Sequence, residues 1–281
     1  MLLIEAQKYL DVVRKRGEAG PELKRVYYNL ATNQELYLVA YANLYANKGA
    51  LTPGTAPEDT ADGMSLERIG HILDQLKRRE YQWKPTRRPY ILKREGRSKR
   101  PVGMPGWEDK LLQEVIRLLL NAYYELQFKT CSHGFRPTLG CHTALWEIKR
   151  TWKGVNWFIE GDIKGCFDNI DHEVTIGILR RHIKDETFLM LLRDMLKAGY
   201  LEDWKYHHTY SGTPQGGIVS PLLANIVLNE LDTYVEETIT QKYTRGKQRE
   251  VNRENQRLRV QATYWRKKGD VVKAKELYKV L

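Results

Sequence analysis

The sequence predicts an α+β fold that is mostly helical, with one β-hairpin and a small, incomplete sheet. Apolar residues recur at helical spacing through much of the 281-residue chain, which is long enough for about two domains. Residues 86–105 place short apolar strands on either side of a polar turn at Gly96, a pattern typical of a hairpin. The apolar run at residues 155–163 predicts a buried strand that ends in an acidic residue.

The N-terminal half is predicted to contain short helices, a loop and the hairpin. Residues 47–65 are rich in Gly, Pro, Thr and Asp, which predicts a loop. A short helix starts at Ser65, and a strongly apolar helix runs from Trp107 to about Phe128. Two further helical faces lie in the first 50 residues: Leu3, Ala6, Leu10 and Val13, and then Leu36, Val39, Ala40 and Leu44.

The C-terminal half is predicted to be helical. One long helix covers residues 172–198, with Asp171 as its N-cap and Gly199 as its stop. Another starts at Ser220-Pro221, where serine caps and proline takes the first helical position. The last forty residues are basic and permit helix, with a break at Gly269-Asp270, which predicts either a charged helical hairpin or a partly ordered arm.

Charge is unevenly distributed along the chain. The 46 Lys and Arg residues exceed the 35 Asp and Glu residues and give a net charge of +11. Residues 77–100 and residues 242–281 each carry a net charge of +9, so the remaining residues are acidic overall. Two basic blocks on an acidic body favour a protein that binds a polyanion. Charge alone does not separate nucleic acid from a membrane surface.

Several classes of protein are disfavoured. No uncharged run approaches the ~18 residues that span a bilayer, and the first residues lack a signal-peptide pattern. Three cysteines without a C-x-x-C pair favour reduced thiols and a cytoplasmic location. The Cys and His residues at 131–142 lack the spacing of a structural zinc site. Neither common glycine-rich phosphate-binding motif is present.

The segment GDIKGCFDNIDH, residues 161–172, carries candidate metal chemistry. It places Asp162 at the end of the predicted strand, where a carboxylate can hold a hard cation such as Mg²⁺. The alternative is that Asp162, Asp168 and Asp171 are turn and cap residues, and for Asp171 the cap is favoured.

The segment YSGTPQGGIVSPLLANIVLNELD, residues 210–232, carries a Gly- and Pro-rich turn directly into a capped helix. Gly216 and Gly217 have no side chain, so a phosphate or a base pair can approach the backbone closely. The alternative is an ordinary junction between a loop and a helix.

Together these two segments resemble the third and fourth conserved blocks of reverse transcriptases, specifically the group II intron-encoded reverse transcriptase/maturases. The resemblance covers roughly residues 45–232 in the family's order. It includes the loop NKGALTPGTAPEDTADGMS, the segment RRPYILKREGRSKRPVGMPGWEDKLLQEVIRLLL and the stretch CSHGFRPTLGCHTAL. The implied fold is that of the fingers and part of the palm of a right-hand polymerase.

The resemblance implies roles for individual residues. Asp162 would be the catalytic carboxylate and first metal ligand, assisted by the backbone carbonyl of Ile163. Phe167 would be the steric gate, whose ring crowds a 2′-hydroxyl, and Gln215 would lie under the incoming nucleotide. A cation clamp suits phosphoryl transfer, which spreads negative charge over several oxygens. The cations of the hairpin that would meet the triphosphate are Arg88 and Lys93.

The sequence departs from the family in its carboxylates. The family's fifth block supplies two adjacent aspartates, and this sequence contains no Asp-Asp dipeptide. Two-metal polymerisation needs carboxylates that hold two ions ~3.5–4 Å apart. We therefore expect the chain to be the N-terminal fragment of a polymerase that uses two Mg²⁺ ions, and to be inactive alone.

The resemblance also implies a division into regions. Residues 1–64 would be an N-terminal extension and the loop region of the fingers, and residues 65–150 the fingers proper. Residues 151–232 would be a partial palm with Asp162 and Pro214–Gly217, and residues 233–281 a basic helical insertion.

The full-length parent would be an RNA-directed DNA polymerase that copies intron RNA during retrohoming, assists splicing, and uses a DNA primer and dNTPs. This chain is expected to bind group II intron RNA, and the alternative is a non-catalytic RNA-binding splicing cofactor. Palm surface that further strands would cover favours a homodimer. The predicted RNA contacts are Arg78, Arg79, Arg97, Lys99, Arg100, Lys247, Arg249, Arg257 and Arg259.

Overall fold

The computed structural model describes residues 4–47, 52–54, 59–92, 99–153, 155, 158–213, 216–244 and 252–279. The chain forms two compact units, Met1–Thr233 and Tyr234–Leu281. The helices up to residue 234 are α1 (Ile4–Ala19), α2 (Val26–Thr32), α3 (Gln34–Tyr45), α4 (Leu66–Arg78), α5 (Trp107–Tyr124), α6 (Cys141–Thr151), α7 (Cys166–Asn169), α8 (His172–His182), α9 (Glu186–Lys197) and α10 (Ser220–Tyr234). The strands are β1 (Thr86–Arg87), β2 (Tyr90–Leu92), β3 (Lys99–Pro101), β4 (Tyr200–Glu202) and β5 (Lys205–His207).

Helix α5 forms the centre of the first unit, and α1 and α3 pack against it. The apolar face that the sequence predicts for α5, including Leu111, Val115 and Leu119, is fully buried. Gly17 of α1 meets the backbone of Tyr123 so closely that a Cβ at this position would overlap the Tyr123 carbonyl oxygen. The absence of a side chain at Gly17 therefore sets the distance between α1 and α5.

Two predicted helix starts and one predicted stop are confirmed. Ser65 Oγ accepts a hydrogen bond from the Arg68 N–H (3.2 Å), and the Asp171 carboxylate accepts one from the Val174 N–H (2.8 Å). Each side chain satisfies a donor that the first turn of a helix leaves unpaired. Gly199, with a φ of +79°, follows α9 in the left-handed region that glycine adopts readily.

Two carboxylates hold the start of α5. Asp59 accepts a hydrogen bond from the Trp107 N–H (2.8 Å), at the helix end where the backbone dipole favours negative charge. Asp109 is 2% exposed and accepts hydrogen bonds from the Tyr81 hydroxyl (2.7 Å) and the Lys84 N–H (3.1 Å). Burial nevertheless raises the pKa of Asp109 to about 6, because desolvation penalises its charged form.

The strands form two small sheets. β4 lies between β1, which is parallel to it, and β5, which is antiparallel to it. Thr86 lies opposite Tyr200, and Tyr200 lies opposite His207. β2 and β3 form the predicted hairpin, with Tyr90 opposite Pro101, and its turn falls outside the described residues. β1 is therefore the edge strand of the three-stranded sheet, and the first strand of the hairpin follows it closely in sequence.

The single long helix predicted for residues 172–198 is wrong, because residues 183–185 separate α8 from α9. Leu23 forms a parallel bridge with Ile183: its N–H donates to the His182 carbonyl at the end of α8 (2.7 Å), and its C=O accepts from the Lys184 N–H (2.8 Å). Asp185 caps α9 and also accepts a hydrogen bond from the Tyr27 N–H (2.9 Å). The break satisfies backbone groups of a distant segment, which apolar spacing does not reveal.

The second unit contains a π-helical stretch (Val235–Thr240) followed by α11 (Gln241–Tyr243), α12 (Arg253–Lys267) and α13 (Val271–Lys279). α12 and α13 pack against each other across a turn at Gly269, whose φ is +88°. Lys273 Nζ lies 3.9 Å from the centre of the Trp265 ring, and Ala262 and Ala274 are buried. The predicted helical hairpin is therefore confirmed. No helix in the described ranges is both long and apolar enough to cross a membrane.

Candidate nucleotide and nucleic-acid site

Asp162, the predicted catalytic carboxylate, lies on exposed, irregular backbone. The buried strand predicted for residues 155–163 is wrong for its described part: residues 158–163 pair with none of the described strands, and Phe158 and Ile159 are 71% and 99% exposed. A strand is buried only where neighbours bond to its N–H and C=O groups and cover its faces. The described strands do neither here, so the apolar run stays exposed.

Asp162 and its neighbour Ile163 carry the two kinds of oxygen ligand that the sequence predicts for a hard cation. The Asp162 carboxylate and the Ile163 carbonyl belong to consecutive, exposed residues. Mg²⁺ is commonly held by one or two carboxylates, with substrate phosphates and water completing its shell. Among the described residues no three His, Cys, Asp or Glu side chains cluster as a metal site. The structure therefore leaves Asp162 and the Ile163 carbonyl as predicted metal ligands.

Phe167, the predicted steric gate, is held by a second aromatic ring. It lies in the single turn α7, after Gly165 with a φ of +59°, and is half-buried. The Phe135 ring meets it edge-on, with centroids 6.2 Å apart and planes at 88°. Phe135 is itself 73% exposed and has a φ of +55°, which is uncommon for an aromatic residue. This edge-to-face packing restrains the Phe167 ring.

Backbone hydrogen bonds fasten the loop at residues 210–213 to α7 and its C-terminal end. The Gly212 N–H donates to the Ile170 carbonyl (2.7 Å), and the Thr213 N–H donates to the Phe167 carbonyl (2.8 Å). His172 Nε2 lies 2.7 Å from the Gly212 carbonyl oxygen. Gly212 has a φ of +85°, and a Cβ there would lie 2.7 Å from the Phe167 carbonyl oxygen. Glycine is therefore required between the two segments.

A second close approach joins the following turn to the hairpin. Gly216 has a φ of +109°, and a Cβ there would lie 2.5 Å from the Gly103 carbonyl oxygen. The Ile218 N–H donates to the Gln113 side chain of α5 (3.0 Å), which anchors the end of the turn. The structure thus brings together the base of the hairpin, the turn around Gly216 and the Phe167 segment.

A cavity of about 300 Å³ lies beside this junction. Arg88, a predicted triphosphate contact, lines it and places its guanidinium 4.3 Å from the centre of the Tyr200 ring. Tyr210 and Thr213 line it as well. The Thr213 hydroxyl is buried and has no hydrogen-bond partner among the described residues. The cavity therefore combines a cation, aromatic surface and an unsatisfied polar group.

The described RNA-binding candidates are exposed on both units. Arg78, Arg79 and Lys99 belong to the first unit, and Arg257 and Arg259 lie on α12 in the second. Within the described ranges none of the five forms an ion pair, so their charges are accessible to phosphate. The predicted site residues that lie outside the described residues are Lys93, Arg97, Pro214, Gln215, Lys247 and Arg249, together with the side chain of Arg100.

Sequence reasoning missed an aromatic row beside the cavity. The Tyr206 and His208 rings are 4.8 Å apart, and the His208 and Tyr210 rings are 6.0 Å apart. These residues recur at every second position, the spacing that puts side chains on one face of an extended strand. That alternation was the signal in the sequence that could have identified them.

Comparison with known proteins identifies relatives of the chain. The profile of a family described as reverse transcriptase (RNA-dependent DNA polymerase) matches residues 91–248. The chain is 55% identical over 208 residues to the group II intron-encoded protein LtrA of Lactococcus lactis subsp. cremoris, covering 74% of this chain and 35% of that protein. It is 46% identical over 230 residues to an uncharacterized 91 kDa protein in the cob intron of Schizosaccharomyces pombe (81% and 28% covered). It is 37% identical over 220 residues to a putative COX1/OXI3 intron 1 protein of Saccharomyces cerevisiae (78% and 26% covered).

The matched region contains the elements that form the junction. It runs from β2 in the hairpin through α7, the Gly212 loop and α10, and covers more than half of the chain. The chain spans about a third or less of the length of these curated relatives. Both the predicted fold class and the resemblance to group II intron-encoded proteins are confirmed. The chain belongs to the reverse transcriptase (RNA-dependent DNA polymerase) family.

Proposed function

We propose that this chain is the N-terminal part of a group II intron-encoded RNA-directed DNA polymerase and maturase, and that binding intron RNA is its own activity. The observation that carries the proposal is the junction at which Gly212 and Gly216 fit against the Phe167 segment and Gly103. Glycine at both positions lets the protein's own segments pack closely, which fixes the loop against the Phe167 segment on one side and against the base of the hairpin on the other. The family profile spans the whole junction.

In the whole polymerase, the predicted site residues would divide into metal ligands and nucleotide contacts. Asp162 and the Ile163 carbonyl would hold Mg²⁺, which would activate a primer hydroxyl and stabilise the charge of the leaving pyrophosphate. Phe167 would exclude nucleotides with a 2′-hydroxyl because its ring would crowd that group, and Phe135 supports the ring from the side. The other dNTP contacts would be Gln215, Arg88 and Lys93.

RNA would be bound through exposed cations on both units. Arg78, Arg79 and Lys99 would contact phosphates from the first unit, and Arg257 and Arg259 from the helical hairpin of the second. The basic hairpin also supports the alternative in which this chain acts as a non-catalytic splicing cofactor. The two functions are compatible, because an RNA-binding part can serve both.

Filter binding tests the proposal. The chain should bind a group II intron RNA more tightly than an unrelated structured RNA of equal length, and its affinity should fall steeply with salt. It should show no primer extension, and Asp162→Ala should leave RNA affinity unchanged. Equal affinity for intron RNA, unrelated RNA and acidic vesicles would show a generic polyanion binder. Incorporation of dNTPs would refute the expectation that paired aspartates are required.

Self-association and a cytoplasmic location complete the proposal. Leu145 and Trp146 of α6, together with Phe158 and Ile159, expose apolar surface that a second copy could cover. Sedimentation velocity should therefore show a dimer that dissociates on dilution, and a monomer at all concentrations would contradict this. The three cysteines carry no disulfide, which is compatible with a reducing compartment.

A further inference from the structure

We propose that the cavity beside the Gly212 loop binds one unpaired nucleotide of an RNA strand. This inference rests on the proposed RNA-binding function and adds a specific site to it. The cavity lies between the base of the hairpin, with Thr86 and Gly103, and the loop that ends at Thr213. Its volume of about 300 Å³ is at the lower end of the range of ligand pockets, which suits a small ligand such as a single nucleotide.

Aromatic side chains supply the surface on which a base would stack. Tyr200 lines the cavity, but His207 (5.0 Å, 14°) and the Arg88 guanidinium (4.3 Å) cover its ring, so Tyr200 holds Arg88 in place rather than receiving a base. Tyr210 also lines the cavity and is 86% exposed, so its ring is available without rearrangement. Proteins that read unpaired RNA stack its bases on aromatic rings and guanidinium planes of this kind.

Polar groups around the cavity match the edge of a base and its phosphate. Thr213 is 2% exposed, and its hydroxyl has no partner among the described residues, although a buried polar group left unbonded destabilises a protein. A base edge would supply that hydrogen bond. The exposed Asp168 carboxylate can accept a hydrogen bond from an exocyclic amino group, and Arg88 can pair with phosphate.

The occupant is an unpaired strand because a base in a duplex is stacked and paired and cannot enter a cavity. The row of Tyr206, His208 and Tyr210 continues from the cavity along one face of the chain. Further bases of the same strand can stack along this row. A free nucleotide has the same base chemistry but does not use the row, so competition by adenosine monophosphate separates the two sources.

Binding of a fluorescein-labelled oligoadenylate tests the site, with an RNA duplex of equal length as the second probe. Tyr210→Ala should weaken single-strand binding by about five- to 150-fold, the effect of losing one stacked base. Thr213→Val keeps the side-chain shape, removes an unbonded hydroxyl, and should weaken binding by about two- to tenfold. Both variants should bind duplex as the wild type does. Tyr28→Ala, at an aromatic that is 56% exposed on α2, is the matched control and should change neither affinity.

Each other outcome refutes a defined part of the reasoning. Wild-type affinity of both variants for the single strand would overturn the cavity assignment and leave the proposed RNA-binding function intact. Equal losses for strand and duplex, or a loss with Tyr28→Ala, would also overturn it, since the effect would then not be specific to the site. Displacement of the strand by an equal nucleotide concentration of adenosine monophosphate would assign the cavity to free nucleotides instead. Absence of RNA binding by the wild type would refute both proposals.

Discussion

Replacing Gly212 with alanine should destabilise the first unit, because the position offers neither the backbone conformation nor the space for a side chain. Its φ is +85°, and a Cβ would lie 2.7 Å from the carbonyl oxygens of Phe167 and Asp168. A left-handed backbone costs a residue other than glycine about 1–2 kcal/mol. Relieving the overlap with two backbone oxygens costs about 1–3 kcal/mol. The free energy of unfolding should therefore fall by about 2–5 kcal/mol, from a typical total of about 5–15 kcal/mol.

Urea unfolding followed by tryptophan fluorescence measures this loss as a lower midpoint at an unchanged m-value. Gly70→Ala is the matched control, because Gly70 lies inside α4 and the new Cβ would have no heavy atom within 4 Å beyond the neighbouring backbone of its own helix. In a helix the same substitution should stabilise the protein by about 0.5–1 kcal/mol. A wild-type midpoint for Gly212→Ala would show that the loop is not packed against α7, and would refute the reasoning.

Three other predictions concern individual charged side chains or a pair of them. Burial raises the pKa of Asp109 from 3.8 to about 6, so the folded state binds the Asp109 proton more tightly than the unfolded state does. The free energy of unfolding should therefore fall as the pH rises from about 4 to about 6, by at most about 3 kcal/mol. Asp109→Asn should remove that contribution from urea midpoints measured across the range, and an unchanged profile would contradict it. Arg136→Lys should lower the free energy of unfolding by about 1–3 kcal/mol, because lysine cannot reproduce the guanidinium hydrogen bonds to Glu125 and to backbone carbonyls. Thermal unfolding measures this loss, and an unchanged melting temperature would contradict the prediction. Replacing Arg257 and Arg259 with glutamine should reduce the slope of log affinity against log salt by about 1.5 in RNA filter binding, whereas an unchanged slope would place the phosphate contacts elsewhere.

Local features could be predicted because their causes lie within a few residues. Ser65 and Asp171 cap their helices by reaching an N–H three positions away, so the sequence pattern contains the whole interaction. The break at residues 183–185 could not be predicted, since it depends on pairing with Leu23. The expectation of a buried strand that includes Phe158 failed for a related reason, because burial of a strand depends on neighbours that apolar character does not specify.

The candidate site shows the same division. Phe167 and the glycine-rich turn could be identified from motifs that are contiguous in sequence. The cavity could not, because Arg88, Tyr200 and Thr213 come from three separate segments and meet only through the pairing of β1 with β4. The alternation of aromatic residues was visible, but an aromatic residue in a strand is found in a core as readily as on a binding surface.

The bridge between Leu23 and the break at residues 183–185 also affects how the protein is made. The bond from the Tyr27 N–H to Asp185 joins residues that are 158 positions apart. At a synthesis rate of about 5–20 residues per second, Asp185 is synthesised ~8–30 s after Tyr27, so the N-terminal helices lack this partner for that time. During that time their apolar faces have only α3, α4 and later α5 to cover them. Chaperone binding to nascent chains should therefore be strongest before residue 185 leaves the exit tunnel.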